Sequence, residues 1–103
     1  LISDLSGIIA DFLPLDRPII YIEPDKNLNP WDESDMPKSF RVGHVVKTPE
    51  ELFEAIEDSI KYPEAFGIHR RELTSKLFHK LDGGATNRGV KEILAFADRN
   101  GLI

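Results

Sequence analysis

Two apolar stretches, Leu1-Ile2 and Ile19-Ile20-Tyr21-Ile22, bracket a polar turn and a short apolar segment, and this spacing constrains the chain more than any other feature. An unbroken run such as 19–22 suits a strand buried on both faces, not one with a wet side. Between the two stretches, Ser3-Asp4-Leu5-Ser6-Gly7 forms a tight polar turn and Ile8-Ile9-Ala10-Asp11-Phe12-Leu13 reads as a short helix. Asp16-Arg17-Pro18 closes that helix. Strand, turn, helix, strand is a βαβ unit, which buries parallel strands beneath helices. The chain is therefore expected to be α/β.

The turn is the first candidate site. It follows a strand and precedes a helix, which is where open α/β sheets receive ligands. Free N–H groups and the helix dipole favour a phosphate there. Gly7 would let a ligand approach the backbone, Ser6 offers a hydroxyl, and Asp11, one helical turn later, is placed to reach a ribose. The simpler reading is that Ser6 is an N-cap, Gly7 a turn residue and Asp11 a solvated charge. No Walker-type or dinucleotide glycine fingerprint is present.

A length of 103 residues fits one domain, and 41% hydrophobic with 30% charged residues is ordinary for a globular chain. The formal charge of −5 argues against nucleic acid as a partner, because neutralising phosphates takes a basic surface. There is no cysteine, hence no disulfide framework and no thiolate metal site. The sequence opens directly in an apolar strand with few other strands to cover it. It is expected to be the C-terminal piece of a longer chain, with residues 1–103 forming part of one domain.

From Glu23 to about Arg41 the chain is rich in Asp, Asn and Pro and reads as a long irregular loop, with Trp31 and Phe40 as apolar anchors. Asp32, Glu33 and Asp35 lack the glycine turn and terminal Glu of a calcium loop, so no metal is assigned. Val45-Val46 reads as a short strand. Thr48-Pro49-Glu50-Glu51 then starts a helix, with Thr48 as N-cap, Pro49 in the first turn and Glu51 completing a capping box. Phe66, Leu73, Leu77 and Leu81 give a later helix a thin apolar stripe. His69-Arg70-Arg71 is expected on its solvated face, with His79 near its end. Asp82-Gly83-Gly84-Ala85-Thr86 is a second punctuated turn before a helix ending near Arg99. Arg88 opposes that helix's dipole in the first turn, so it needs a partner: Asp82, which is preferred, or a ligand phosphate.

Three stretches together resemble the CDP-glycerol glycerophosphotransferase family, which builds teichoic-acid and related capsule polymers. They are Ser3 to Gly7 with Asp11 and Leu15-Asp16-Arg17-Pro18-Ile19-Ile20, then Val46-Lys47-Thr48-Pro49-Glu50-Glu51-Leu52, then Asp82-Gly83-Gly84-Ala85-Thr86-Asn87-Arg88. The resemblance implies a partial Rossmann-like parallel sheet with flanking helices, the C-terminal fragment of a glycosyltransferase B type fold. It also implies a CDP-activated polyol donor, its diphosphate at Asp4, Ser6 and Gly7 and its ribose at Asp11. The polymer acceptor would be bound by an N-terminal half absent from this sequence. No cofactor is expected. None of His44, His69 or His79 matches the family's catalytic histidines, so no catalytic residue is assigned here and the isolated piece is expected to be inactive. A cytoplasmic setting is implied, with peripheral attachment to the inner face of the membrane open for the complete protein. Gly7 stands where the family often has a second serine, and residues 25–41 align with nothing in it. The first stretch is also similar to UDP-N-acetylglucosamine 2-epimerases, which keeps a UDP-sugar transferase or epimerase fragment open. A small α/β interaction domain without catalysis is the alternative from another class.

Overall fold

A computed structural model describes residues 1–4, 6–23 and 40–103. Leu5 and the stretch 24–39, with the proposed Trp31 anchor and the acidic triplet, lie outside the described residues. The elements in order are β1 (Ile2–Ser3), α1 (Ile8–Phe12) running into a 3-10 turn (Leu13–Leu15), β2 (Ile20–Ile22), β3 (His44–Val46), α2 (Pro49–Lys61), α3 (Gly67–Leu77) and α4 (Ala85–Arg99). The three strands form one parallel sheet in the order β1-β2-β3. Ile2 pairs with Ile20, which pairs with His44, and Tyr21 lies between Ser3 and Val45. The βαβ reading is thus the observed topology, an α/β fold of partial Rossmann-like form.

Alternation along β2 explains why its run is wholly apolar. Tyr21 points to one face, where it packs with Ile9, Leu13, Ile19, Val42 and Leu73 beneath α1, the 3-10 turn and α3. Ile20 points to the other, joining Val46 and Ala55 beneath α2, with Leu52 and Ile56 alongside. A strand covered on both faces has no solvated side for a polar residue. The Tyr21 hydroxyl avoids an unpaired burial by donating to the Phe40 carbonyl at 2.7 Å and accepting from the Val42 N–H at 3.4 Å. Burial pushes its ionisation upward, partly offset by that Val42 amide. Phe40 therefore anchors the chain through its backbone, while its ring stays 38% exposed.

Gly43 sits hard against the chain entering β2. A Cβ there would lie 1.8 Å from the Ile19 carbonyl oxygen, so only glycine lets the lead-in to β3 pass the start of β2. The start of α2 is as expected, with one shift. Thr48 Oγ1 accepts from the Glu51 N–H at 3.2 Å, but the Glu51 carboxylate accepts from the Lys47 amide at 2.7 Å, one residue earlier than in the usual capping box. The end of α3 differs from the sequence reading: the helix stops at Leu77 because Phe78 is extended, leaving Leu81 and His79 beyond it. α4 is amphipathic yet buries none of its residues, with Ile93 67% and Phe96 57% exposed.

Candidate functional site at the carboxyl edge of the sheet

Because the three strands run parallel and adjacent, the residues that leave their carboxyl ends share one edge. Asp4, Ser6 and Gly7 follow β1, Glu23 follows β2, and Lys47 and Thr48 follow β3. The ladder continues one step beyond β2, where the Glu23 N–H donates to the Val46 carbonyl at 2.9 Å. Lys47 and Glu23 then face each other as an ion pair at 3.3 Å. This is the edge at which open α/β sheets take ligands.

The Ser6-Gly7 turn shows both its structural role and what remains available. Ser6 Oγ accepts from the Ile8 N–H at 3.3 Å and the Ser6 carbonyl from the Ile9 N–H at 3.2 Å, so Ser6 caps the short helix α1. No described residue accepts from the Gly7 amide. Gly7 has φ −59° and ψ −22°, values open to any residue, and a Cβ at that position would meet nothing within 4 Å. Its backbone conformation therefore does not require glycine. What glycine leaves is an unobstructed main chain facing solvent. Asp4, Ser6 and Gly7 are all exposed, and Asp11 is exposed one turn along α1. The structure thus places Asp4 directly after β1, Ser6 and Gly7 at the opening of α1, and Asp11 on that helix.

Asp82 and Arg88 lie elsewhere, across the turn that leads into α4. Arg88 Nη1 donates to Asp82 Oδ1 at 2.9 Å and to Oδ2 at 3.0 Å, while the Gly84 N–H donates to Oδ1 at 2.9 Å. The Gly84 amide first, and Arg88 next, hold the Asp82 carboxyl below its usual range. Gly83, at φ +73°, supplies the left-handed residue that bends the chain for this contact. Among the described residues, no hydrogen bond or ion pair links this pair to the Ser6-Gly7 turn.

One expectation is overturned in part. Within the basic cluster at 69–71, His69 and Arg71 lie on the solvated face as expected, but Arg70 does not, being 1% exposed. Gly67, Arg70 and Leu73 are the buried residues of α3 and share one stripe by their three-residue spacing. Arg70 Nε donates to Asp16 Oδ1 at 3.1 Å and Nη2 to the Pro63 carbonyl at 3.0 Å. Arg71 stays more open, bridging Asp16 at 3.2 Å and Glu64 at 3.1 Å. Desolvation raises the Asp16 carboxyl, but hydrogen bonds from Arg70 and Arg71 outweigh it and leave the group below its usual range. Asp16 is held at φ 50° to receive them. The sequence signal for this network was the position of Arg70 between Phe66 and Leu73 on an otherwise apolar stripe.

The histidines take no part at the edge. His44 packs edge-to-face on Phe66 with ring centroids 5.1 Å apart, and His69 and His79 are exposed. His79 lies past the end of α3, so the helix dipole does not account for it. A cleft of about 390 Å³ between the 3-10 turn and the end of α3, floored by Leu13 and Phe78, opens where the chain enters β2, at the amino ends of the strands. Among the described residues, no three His, Cys, Asp or Glu side chains cluster in a way that suits a metal ion. No described helix is long and apolar enough to cross a membrane.

No curated protein and no solved structure matches the chain. A sequence profile of the family described as CDP-Glycerol:Poly(glycerophosphate) glycerophosphotransferase matches residues 1–95. That span runs from β1 through most of α4 and takes in the Ser6-Gly7 turn, the Lys47-Thr48 junction and the Asp82–Arg88 pair. With nearly its whole length matched, the chain belongs to the CDP-glycerol:poly(glycerophosphate) glycerophosphotransferase family of transferases.

Proposed function

We propose that this chain is the C-terminal part of the donor-nucleotide-binding domain of a glycosyltransferase B type enzyme. The enzyme would move glycerol phosphate, or a similar polyol phosphate, from a CDP-activated donor to a teichoic-acid or capsule polymer. The family match over residues 1–95 carries this reading. The open backbone at Gly7, on the ligand-binding edge of a parallel sheet, supports the assignment of the donor end of the reaction.

In this reading the donor diphosphate lies against Ser6 and Gly7, close to Asp4, and the ribose reaches Asp11. A hydroxyl at the polymer end attacks the phosphorus that carries the polyol. The bond from that phosphorus to the bridging oxygen breaks, CMP leaves with the electron pair, and the hydroxyl proton passes to a base outside this chain. The contribution of these residues is electrostatic and hydrogen-bond stabilisation of the charged diphosphate.

The test is titration of the complete protein with CDP-glycerol and with a UDP-sugar, before and after Gly7→Val. Expected is preference for CDP-glycerol and a loss of affinity of about 10-fold or more in the variant, the equivalent of about 1.4 kcal/mol. Preference for the UDP-sugar would shift the assignment to a sugar transferase or epimerase. Binding of neither nucleotide by the complete protein would favour an interaction domain.

A further inference from the structure

We infer that Lys47 is a donor-binding residue, held in reserve by Glu23 until the donor's diphosphate arrives. The inference rests on the diphosphate reading above and adds to it the cation that reading lacks. At the carboxyl edge, two of the described residues directly after the strands are acids, Asp4 and Glu23, and a third acid, Asp11, lies on α1 just beyond the proposed site. A diphosphate carries roughly two negative charges, and beside exposed carboxylates it would be repelled unless a cation joined it. Lys47 is the one cation among the described residues directly following the three strands.

Its position follows from the register. Tyr21 lies level with Ser3, the last residue of β1, and Ile22 with Val46, so one step further Glu23 is level with Lys47. Neighbouring strands are about 4.8 Å apart, which sets the Lys47 backbone about 10 Å across the sheet from the line of β1, the strand that the Ser6-Gly7 turn follows. A lysine stem of roughly 6 Å, together with the size of a diphosphate, closes that distance. The Lys47 side chain is 61% exposed, whereas that of Glu23, its partner at 3.3 Å, is 23% exposed. The Lys47 backbone is fixed by the Glu51 carboxylate at 2.7 Å, so the stem starts from a set point. With its cationic partner open to solvent, a pair of this kind contributes little to folding, and the lysine can exchange the carboxylate for a phosphate contact.

The experiment measures KM for CDP-glycerol in the complete protein, with Lys47→Met, Lys47→Arg, Glu23→Gln and Gly7→Val compared at low and high salt. Lys47→Met is expected to raise KM about 10-fold and to flatten its salt dependence, with Lys47→Arg restoring most of the loss. Glu23→Gln is expected to lower KM, because it removes both a competitor for Lys47 and a repelling charge. If Glu23→Gln raised KM as Lys47→Met does, the pair would be merely structural and the inference would be wrong. If Gly7→Val weakened donor binding while Lys47→Met left it unchanged, the inference would fall and the diphosphate reading would stand. If neither variant changed donor binding, both would fall.

Discussion

Gly43→Ala tests the close approach between the lead-ins to β2 and β3. The added methyl would lie 1.8 Å from the Ile19 carbonyl oxygen and 2.8 Å from its carbon, both backbone atoms that no rotamer change can move aside. An ordinary carbon–oxygen contact needs about 3.3 Å, so one strand must retreat by about 1.5 Å. Ile19 cannot yield cheaply. The next N–H, of Ile20, donates to the Leu1 carbonyl at 2.8 Å, and the Ile19 side chain is 1% exposed in the core beside Val42 at 0%. A retreat of that size breaks one or two ladder hydrogen bonds, at about 1 kcal/mol each, and adds an overpacking cost of about 1–3 kcal/mol. The expected loss is therefore about 3–4 kcal/mol, a large share of the stability of a small domain. Urea unfolding followed by circular dichroism measures it, with Gly7→Ala as the control. There the same methyl meets nothing within 4 Å at φ −59°, and the change should stay within about 0.5 kcal/mol. A Gly43→Ala protein whose midpoint and slope matched those of the control would refute the close approach and the β2–β3 register built on it.

Arg70→Met keeps the apolar stem but removes the bonds to Asp16 and the Pro63 carbonyl; it should cost about 2 kcal/mol in the same unfolding assay, and a more stable variant would show that the buried ion pair is a net burden. Acid should weaken the fold through Asp16 and Asp82. Both carboxyls are depressed in the folded state, so their contribution is complete above the ordinary carboxylate range and is lost as pH falls through the lowered folded values. Stability measured from pH 6 downward should hold and then drop below about pH 4, less steeply in Asp16→Asn; a flat profile across that range would contradict the pairing.

What was legible in the sequence follows from how local each signal is. The 19–22 run, the Thr48-Pro49 helix start and the turn at 82–86 are set by a few adjacent residues, and the structure has all three within a residue or two of the reading: β2 takes Ile20–Ile22, and α4 already begins at Ala85. The Asp82–Arg88 contact spans six residues and was readable for the same reason. Arg70 was not, because its partner Asp16 lies 54 residues away and adopts a left-handed conformation that no nearby residue announces. A charged residue among charged neighbours looks solvated until the acid that pairs with it is in view. The end of α3 was missed because Leu81 continued the apolar spacing after Phe78 had already turned the chain into an extended form. At the site, Ser6 was legible as a cap. That the backbone at Gly7 does not itself require glycine needed the three-dimensional geometry, since the residue looks the same in sequence whether or not its turn demands it.

The last helix, α4, has a consequence for how the molecule melts. A segment that conceals no side chain draws its order from its own main-chain bonds, from the Asp82–Arg88 clasp at its start and from the Asn100 amide, which bonds the Phe96 carbonyl at its end. Helices of about 15 residues are marginal in water on such terms. Its amide protons should therefore trade with deuterium far sooner than those of β2, and heating should unwind it gradually before the sheet gives way in one step.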